Sequence, residues 1–261
     1  MSEQQSLLQA VAEVARLAGA TAMGYFGRQL DIELKGDGSP VTRADREAEQ
    51  AARAWIDVRF PADGVLGEEF GETRPGSRRR WLLDPVDGTK SFVKGVPLWG
   101  TLIAVVEGED VLAGALAFPA TGEVLAAARG EGAWRDGQRL RVSEVETLEQ
   151  ATLVSTDLAF RDAPKCGAAW RRLGEQGAVQ RTWGDCFGYR LVAEGGAEAM
   201  TDARLKPWDA AAVMVLVEEA GGTCFDWQGR HDWQGTHGLI ACNARLAVLL
   251  RAALTSEGVA R

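Results

Sequence analysis

Two aspartates three residues apart form the part of the chain best suited to chemistry. Asp84 and Asp87 follow the short apolar run at 81–83, which is typical of a buried strand ending at Asp84. Pro85 cannot continue a central strand, and Asp87-Gly88 is typical of a turn. Two carboxylates at such short range repel each other unless a cation lies between them. Because carboxylate oxygens suit a hard divalent cation, the sequence predicts a Mg²⁺ site at this turn.

The backbone that follows the turn predicts an anion site beside the metal. If a helix begins at Gly88, the N–H groups of Gly88, Thr89 and Lys90 converge on a point where a phosphate would be favoured. The alternative is a solvated turn whose aspartates only cap the next element, which is the commoner role of a single Asp-Gly pair.

Three further aspartates stand where predicted helices begin. Asp45 follows Thr42 by three residues, which fits a capping box, while Asp185 and Asp209 open two later helices. An aspartate in the first turn of a helix stabilises the helix without any further role. For all three residues, a capping role and a functional role remain alternatives.

Glu68 and Glu69 follow another apolar run, at 65–67. Paired glutamates usually lie on a solvated surface. Directly after a buried strand, however, a charge is unusual unless it binds something. This pair is therefore a second candidate for metal binding.

The hydrophobic pattern predicts the elements that must position these residues. Helical periodicity runs from Leu7 to Phe26 and recurs in five later segments, whereas shorter apolar runs are typical of strands. The predicted helices are 7–26, 42–60, 166–173, 184–192, 205–222 and 246–254. The predicted strands are 31–35, 65–69, 81–83, 101–106, 111–118, several within 123–141, 151–155, 180–183, 223–227 and 238–241. This mixture predicts a mixed α/β (α+β) fold.

A polar stretch at 143–150 indicates a boundary between two tightly packed parts. We expect an N-terminal α+β subdomain, residues 1–145, that carries most of the metal ligands. A C-terminal α/β subdomain, residues 146–261, would complete a single structural unit. The segment at 72–80 is expected to be an irregular connection.

Composition limits the classes of partner. The 261 residues carry a net charge of −8, and no basic run exceeds residues 78–80, which argues against nucleic acid or an anionic membrane as a partner. The four cysteines form no Cys-x-x-Cys pair, as expected of free thiols in a reducing compartment. Neither a signal peptide nor an 18-residue apolar run is evident, so we expect a cytoplasmic protein.

Motifs along the chain resemble those of the inositol monophosphatase superfamily, which comprises metal-dependent, lithium-sensitive phosphomonoesterases. The similar segments are Val-Thr-Arg-Ala-Asp at 41–45, Gly-Glu-Glu at 67–69, Asp-Pro-Val-Asp-Gly-Thr at 84–89, Trp-Asp at 208–209 and Glu-Glu-Ala-Gly-Gly at 218–222. The resemblance extends from Ser39 to about Asn243. It implies a layered αβαβα sandwich and a homodimer.

The resemblance also implies a ligand set for two or three Mg²⁺ per subunit. The ligands would be Glu68, Asp84 and the Val86 carbonyl for one ion, Asp84, Asp87 and Asp209 for a second, and Glu69 for a looser third. The side chains of Asp45, Thr89 and Glu68 would be catalytic, with Asp45 pairing with Thr89 to orient the attacking water. The amides of Gly88 and Thr89 would hold the phosphate.

Within the superfamily, the sequence is most similar to the bacterial histidinol-phosphate phosphatases. The segments that carry this likeness are 87–92, 95–104, 181–186 and 225–229. It implies hydrolysis of L-histidinol phosphate in histidine biosynthesis, with Asp185 and Lys90 as substrate-binding residues. A carboxylate at Asp185 would suit a cationic leaving group. Ser91 stands where inositol phosphatases commonly carry asparagine.

Two other functions remain alternatives to this one. The first is an inositol-1-phosphate or sugar-phosphate phosphatase of the same superfamily. The second is a non-catalytic binding protein, against which the intact set of acidic ligands argues.

Overall fold

Two β-sheets alternate with three layers of helices. The computed structural model describes residues 2–28, 33–34, 36, 40–157, 159–160, 163–176 and 178–255. In these residues the helices are α1 (Glu3–Met23), α2 (Arg43–Arg59), α3 (Thr89–Val93), α4 (Pro164–Gly174), α5 (Asp185–Ala193), α6 (Pro207–Glu219) and α7 (Ala247–Thr255). All the predicted helices are present, with ends that shift by a few residues.

The first sheet contains eight strands within the described part of the chain. They are β3 (Gly64–Gly67), β4 (Gly71–Thr73), β5 (Arg79–Asp87), β6 (Gly100–Glu107), β7 (Asp110–Phe118), β8 (Glu123–Ala128), β9 (Gly132–Arg135) and β10 (Gln138–Arg139). Their spatial order is β10-β9-β8-β7-β6-β5-β3-β4, with β3 parallel to β5 and the other neighbours antiparallel. A separate short ladder joins β1 (Glu33–Leu34) to β2 (Pro40–Val41).

The second sheet is assembled entirely from the later part of the chain. Its strands are β11 (Thr152–Ser155), β12 (Val179–Arg181), β13 (Ala199–Asp202), β14 (Gly222–Phe225) and β15 (Leu239–Asn243), in the order β12-β11-β13-β15-β14. Strand β11 is parallel to both of its neighbours, and the remaining pairs are antiparallel. The division into subdomains at residue 145 stays a prediction.

Alternation along the strands separates the layers. In the first sheet, Trp81, Leu83 and Ile103 face α1 and α2, whereas Leu82 and Leu102 face α5 and α6. Helices α4 and α7 cover the far side of the second sheet. The order helix, sheet, helix, sheet, helix confirms the predicted αβαβα sandwich.

Helix α6 occupies the middle layer and has no solvated stripe over most of its length. Its residues from Ala210 to Val217 are all buried, as expected of a helix enclosed by two sheets. Burial of each large apolar side chain stabilises the fold by roughly 1.5–3 kcal/mol. This enclosure fixes the first turn of α6, where Asp209 lies, relative to both sheets.

Strand β5 is longer than the sequence indicates. It continues past Asp84 to Asp87, so the prediction that it ends at Asp84 was wrong. Its register against β6 shifts between Asp84 and Asp87, and Pro85, which lacks an N–H, lies in this irregular part. The Pro85 carbonyl accepts a hydrogen bond from Thr101 Oγ1 at 2.7 Å. Asp84 and Asp87 lie on either side of this irregularity.

Strands β2, β4 and β13 were not predicted, and β2 is only two residues long. The predicted strand at 31–35 contains β1, and its residues 31, 32 and 35 lie outside the described residues. Strand β4 overlaps the start of the expected connection at 72–80, and all three of its residues are exposed, so no alternation of polarity marks it. Strand β13 is four residues long and is defined by its pairing with β11 and β15 rather than by a distinctive pattern. In the described residues, no helix combines the length and apolar character needed to cross a bilayer.

Candidate active site

An acidic cluster lies where β5 ends and α6 begins. Asp84 and Asp87 come from β5, and Asp209 comes from the first turn of α6. One carboxylate oxygen from each of these three residues lies within 4.8 Å of the others. The structure thus brings together residues 125 positions apart in the sequence, as the predicted ligand set requires.

Each carboxylate in the cluster is oriented by a backbone N–H. Asp84 Oδ1 accepts from the Val86 amide at 3.0 Å, and Asp209 Oδ2 accepts from the Lys206 amide at 2.8 Å. Asp87 Oδ2 accepts at 2.5 Å from the amide of Cys186, in the first turn of α5. Asp209 can therefore cap α6 and bind a metal at the same time. One of its oxygens accepts from the helix terminus while the carboxylate remains in the cluster.

Crowding and burial raise the pKa values of the cluster. Burial raises the pKa of Asp84 well above its ordinary value, and the nearby charges of Glu68, Asp87 and Asp209 add to the effect. Burial, together with the charge of Asp209, raises the pKa of Asp87 to about 7. The pKa of Asp209 is also raised to about 7, chiefly by burial and partly by Glu68. Carboxylates that repel in this way are well suited to sharing a cation.

Glu68 lies beside the cluster, just after β3. Its backbone N–H donates to the Leu83 carbonyl at 3.1 Å, immediately before Asp84. The contribution of Glu68 to the pKa of Asp84 places the two side chains within electrostatic reach. The donors are all oxygens, which fits Mg²⁺ and does not fit a soft metal. Glu69 is half-buried in the same loop and remains a predicted ligand for a third ion.

The loop after β5 begins a short helix, as predicted. Gly88 precedes α3 and has a left-handed backbone with φ of 80°. A Cβ at this position would lie 3.0 Å from the Leu98 carbonyl, so the close approach also requires glycine. The Thr89 hydroxyl donates to the Val86 carbonyl at 3.0 Å, which joins two predicted site residues.

Asp45 is buried at the start of α2 and forms the predicted capping box. Its Oδ2 accepts from the Thr42 amide at 2.8 Å and from the Thr42 hydroxyl at 2.7 Å. Burial raises the pKa of Asp45, and the charge of Glu68 contributes to the rise. This interaction places Asp45 near the cluster. The pairing of Asp45 with Thr89 stays a prediction.

Asp185 is not the cap of α5. The N-cap is Gly184, and Asp185 instead has an unusual left-handed backbone with φ of 53°, which is a sparsely populated conformation for a non-glycine residue. Its amide donates to Thr156 Oγ1 at 2.8 Å. Its Oδ2 would lie 3.2 Å from a Cβ on Gly88, so the carboxylate faces the predicted phosphate loop. Burial and the charge of Asp87 raise the pKa of Asp185 to about 7.

A cavity of about 430 Å³ opens in front of these residues. Gly88, Thr89 and the exposed Lys90 line one side, and Asp185 and Thr156 line the other. The predicted phosphate-binding and substrate-binding residues therefore share one cavity. Its volume is in the range of small-molecule sites.

Asp202 is a cavity residue that the sequence did not reveal. It lies at the end of β13 and lines an adjoining cavity of about 190 Å³ together with Asp87, Asp185 and Asp209. Tyr189 donates to Asp202 Oδ2 at 3.1 Å. Burial raises the pKa of Asp202 to about 7, with a contribution from Asp185. Because β13 has no clear pattern, no sequence signal marked Asp202.

The raised pKa values predict how the metal-free protein responds to pH. Asp87 and Asp209 take up protons below about pH 7 when folded, but only near their ordinary pKa of 3.8 when unfolded. The folded state therefore binds more protons in this window, and the free energy of unfolding falls as pH rises from about 4 to 7. We expect the chelated protein to melt at a lower temperature at pH 7.5 than at pH 5.5.

Saturating Mg²⁺ should reduce this difference, because a bound cation replaces the protons. A variant with both Asp87→Asn and Asp209→Asn separates the cluster from other titrating groups. Differential scanning calorimetry should show a smaller pH effect in the metal-free variant than in the metal-free wild type. An equal pH effect in both proteins would contradict the assignment to the cluster.

The five-layer sandwich, together with the acidic cluster beside a small-molecule cavity, fits a metal-dependent phosphomonoesterase. The sequence profile of the inositol monophosphatase family matches residues 3–258, and the chain belongs to that family. A histidinol-phosphatase of Chlorobaculum parvum is 44% identical over 249 residues, which cover 95% of this chain and 96% of that protein.

Another relative and a solved structure agree with this placement. A histidinol-phosphatase of Mycobacterium tuberculosis is 40% identical over 83% of this chain and 85% of that protein. The crystal structure of the extragenic suppressor protein SuhB from Bartonella henselae superposes with a TM-score of 0.89 and is 28% identical. That match covers 97% of this chain and 100% of the SuhB chain.

Proposed function

We propose that this chain hydrolyses L-histidinol phosphate to L-histidinol and phosphate, with Mg²⁺, in histidine biosynthesis. The observation that carries the proposal is the placement of the Asp185 carboxylate beside Gly88 of the phosphate loop, in the cavity that both residues line. L-Histidinol phosphate has a cationic amine, which a carboxylate at this position would bind. The names of the relatives, histidinol-phosphatase, support the same substrate.

Main-chain and side-chain groups take distinct roles in the proposed reaction. The amides of Gly88 and Thr89 hold the phosphate, and the Thr89 hydroxyl orients the attacking water. Asp45, at the start of α2, and Glu68, just after β3, help to orient the same water. Lys90, at the rim of the cavity, attracts the anionic ester.

Glu68, Asp84, Asp87 and Asp209, with the Val86 carbonyl, would hold two Mg²⁺, and Glu69 would hold a third. Bound Mg²⁺ supplies positive charge for the phosphate and the leaving oxygen, and lowers the pKa of water. The all-oxygen donor set supports this choice of metal. We also propose inhibition by Li⁺, a homodimer and a cytoplasmic location, the latter two testable by light scattering and cell fractionation.

Steady-state phosphate release with a panel of esters tests the substrate. We expect kcat/KM for L-histidinol phosphate to exceed the values for inositol 1-phosphate and fructose 1,6-bisphosphate, because neither competitor brings a positive charge to Asp185. A higher value for inositol 1-phosphate would leave a phosphomonoesterase of the same family but overturn the proposed substrate.

The variant Asp185→Asn should lose activity toward L-histidinol phosphate but not toward an ester without a positive charge. Without the charge-assisted contact, kcat/KM for L-histidinol phosphate should fall by about 10–150-fold, equivalent to roughly 1.5–3 kcal/mol. The test ester p-nitrophenyl phosphate has a leaving group without a positive charge, so the variant should hydrolyse it nearly as fast as the wild type does. Parallel kinetics on the two substrates provide the comparison.

Asp157 offers a matched control, because it is an exposed carboxylate at the rim of the same cavity. Its charge is screened by solvent, so Asp157→Asn should change neither substrate appreciably. If Asp185→Asn lowers both substrates equally, Asp185 shapes the loop and does not select the substrate.

A further inference from the structure

Glu49 has a fully buried carboxylate that none of the roles above uses. It lies on the apolar face of α2, one helical turn after Asp45. Its Oε2 accepts the amide of Glu69 at 2.7 Å, and its Oε1 accepts the amide of Phe70 at 3.2 Å. A buried helix side chain is thus bonded to the backbone of the loop that contains Glu68.

The buried charge of Glu49 is compensated by Arg53, one turn further along α2. Arg53 Nε donates to Glu49 Oε1 at 2.7 Å. Its Nη2 donates to the Gly71 carbonyl at 2.5 Å, and its Nη1 lies 3.4 Å from Thr73 Oγ1. The two side chains therefore hold the loop and the following strand β4 as one unit. Paired and hydrogen-bonded in this way, a buried charge does not carry the penalty of an isolated one.

Gly67 shows how closely the loop approaches this pair. A Cβ at Gly67 would overlap the Glu49 carboxylate, so only glycine allows the backbone to lie against it. The carboxylate atoms of Glu49 pack against the main chain of Gly67. Glu49 therefore fixes the position of the backbone immediately before and after Glu68.

Glu68 is held between two anchors as a result. Its own amide is bonded to the Leu83 carbonyl of β5, and the next two amides are bonded to Glu49. We propose that Glu49, paired with Arg53, is a positioning residue that sets Glu68 against Asp84 for metal binding. The inference rests on the proposed metal site and adds to it the residue that shapes the loop. Residues behind the ligands of a metal site typically contribute about 10–100-fold in metal affinity or activity.

Calorimetric titration of chelated protein with Mg²⁺ alone tests the role of Glu49. Glu49→Gln should raise the Mg²⁺ dissociation constant by about 10–100-fold. Turnover should recover toward the wild-type kcat at high Mg²⁺, because Glu49 does not touch the substrate. Glu47→Gln is the matched control, since Glu47 is on the same helix and bonds Tyr25 and Arg43 instead of the loop. The control should bind Mg²⁺ like the wild type.

Gly67→Ala provides a second test that leaves residue 49 as glutamate. The added methyl would displace the loop, so the Mg²⁺ dissociation constant should rise even if Glu49→Gln fails to fold. Wild-type affinity in the folded variants, or a loss of kcat at unchanged affinity, would overturn the positioning role. A wild-type protein that binds no Mg²⁺ would instead overturn the proposed function, so the two failures are distinguishable.

Discussion

Replacing either Asp87 or Asp209 by asparagine is expected to abolish turnover while leaving the fold intact. Each substitution removes one charge from a cluster whose oxygens lie within 4.8 Å of one another. Loss of a single preorganised electrostatic group commonly lowers kcat by about 10²–10³-fold, and loss of a metal ligand should cost at least as much. The measurement is kcat at saturating Mg²⁺ and substrate for both variants.

The stability of the same variants provides an internal check. Asparagine keeps an oxygen for the amide of Cys186 or Lys206 and relieves charge repulsion, so the metal-free variants should melt at a temperature equal to or above the wild type near pH 7.5. Near-normal turnover in either variant would show that the second metal binds elsewhere.

Asp63→Asn is the control for loss of a buried carboxylate away from the cluster. Asp63 lies before the other end of β3, where it accepts hydrogen bonds from Arg79 at 2.7 Å and Trp81 at 2.9 Å. Its loss should lower the melting temperature, because a buried ion pair is broken. The kcat of the folded fraction should remain close to that of the wild type.

Thr89→Ala is expected to lower kcat by about 10²–10⁴-fold, the range typical of positioned proton-transfer groups. The change in KM should be smaller, since orientation of water is expressed mainly in the transition state. Steady-state kinetics with L-histidinol phosphate measure both constants. A rise in KM at constant kcat would assign Thr89 to ground-state binding of the phosphate.

Thr89→Ser separates the hydroxyl from the rest of the side chain. Serine can still donate to the Val86 carbonyl, as Thr89 does at 3.0 Å, and can still orient a water. We expect most of kcat to be retained. If serine and alanine lower kcat equally, the methyl group and not the hydroxyl of Thr89 supports the loop.

Local patterns predicted most of the fold because most helices bury one face and the central strands are continuous apolar runs. Helix α1 shows this, with buried residues at helical spacing along its length. The end of β5 was harder to predict from the sequence. Pro85 locally favours the end of a strand, but pairing with β6 extends β5 beyond it. Strands β4 and β13 are too short or too exposed for a period of two to be recognised.

The acidic ligands were identifiable from sequence because they occur in short motifs, but their partners were not. Asp87 is oriented by the amide of Cys186, which is 99 residues away. Glu49 had a weak signal, because it is an acidic residue on the apolar face of α2 with Arg53 four residues later. Asp202 had none, and only the pairing of β13 brings it to the cavity.

Phosphate release from L-histidinol phosphate by the chelated protein, followed while Mg²⁺ is added, tests whether hydrolysis depends on a metal ion at the acidic cluster. The carboxylates of Asp84 and Asp87 repel each other without a cation, and the proposed reaction needs the positive charge that Mg²⁺ supplies. We therefore expect no turnover before Mg²⁺ is added and saturable recovery afterwards. Ca²⁺ should bind without supporting turnover, because it is larger and takes more ligands. Full activity after exhaustive chelation would show that hydrolysis does not depend on the proposed metal site.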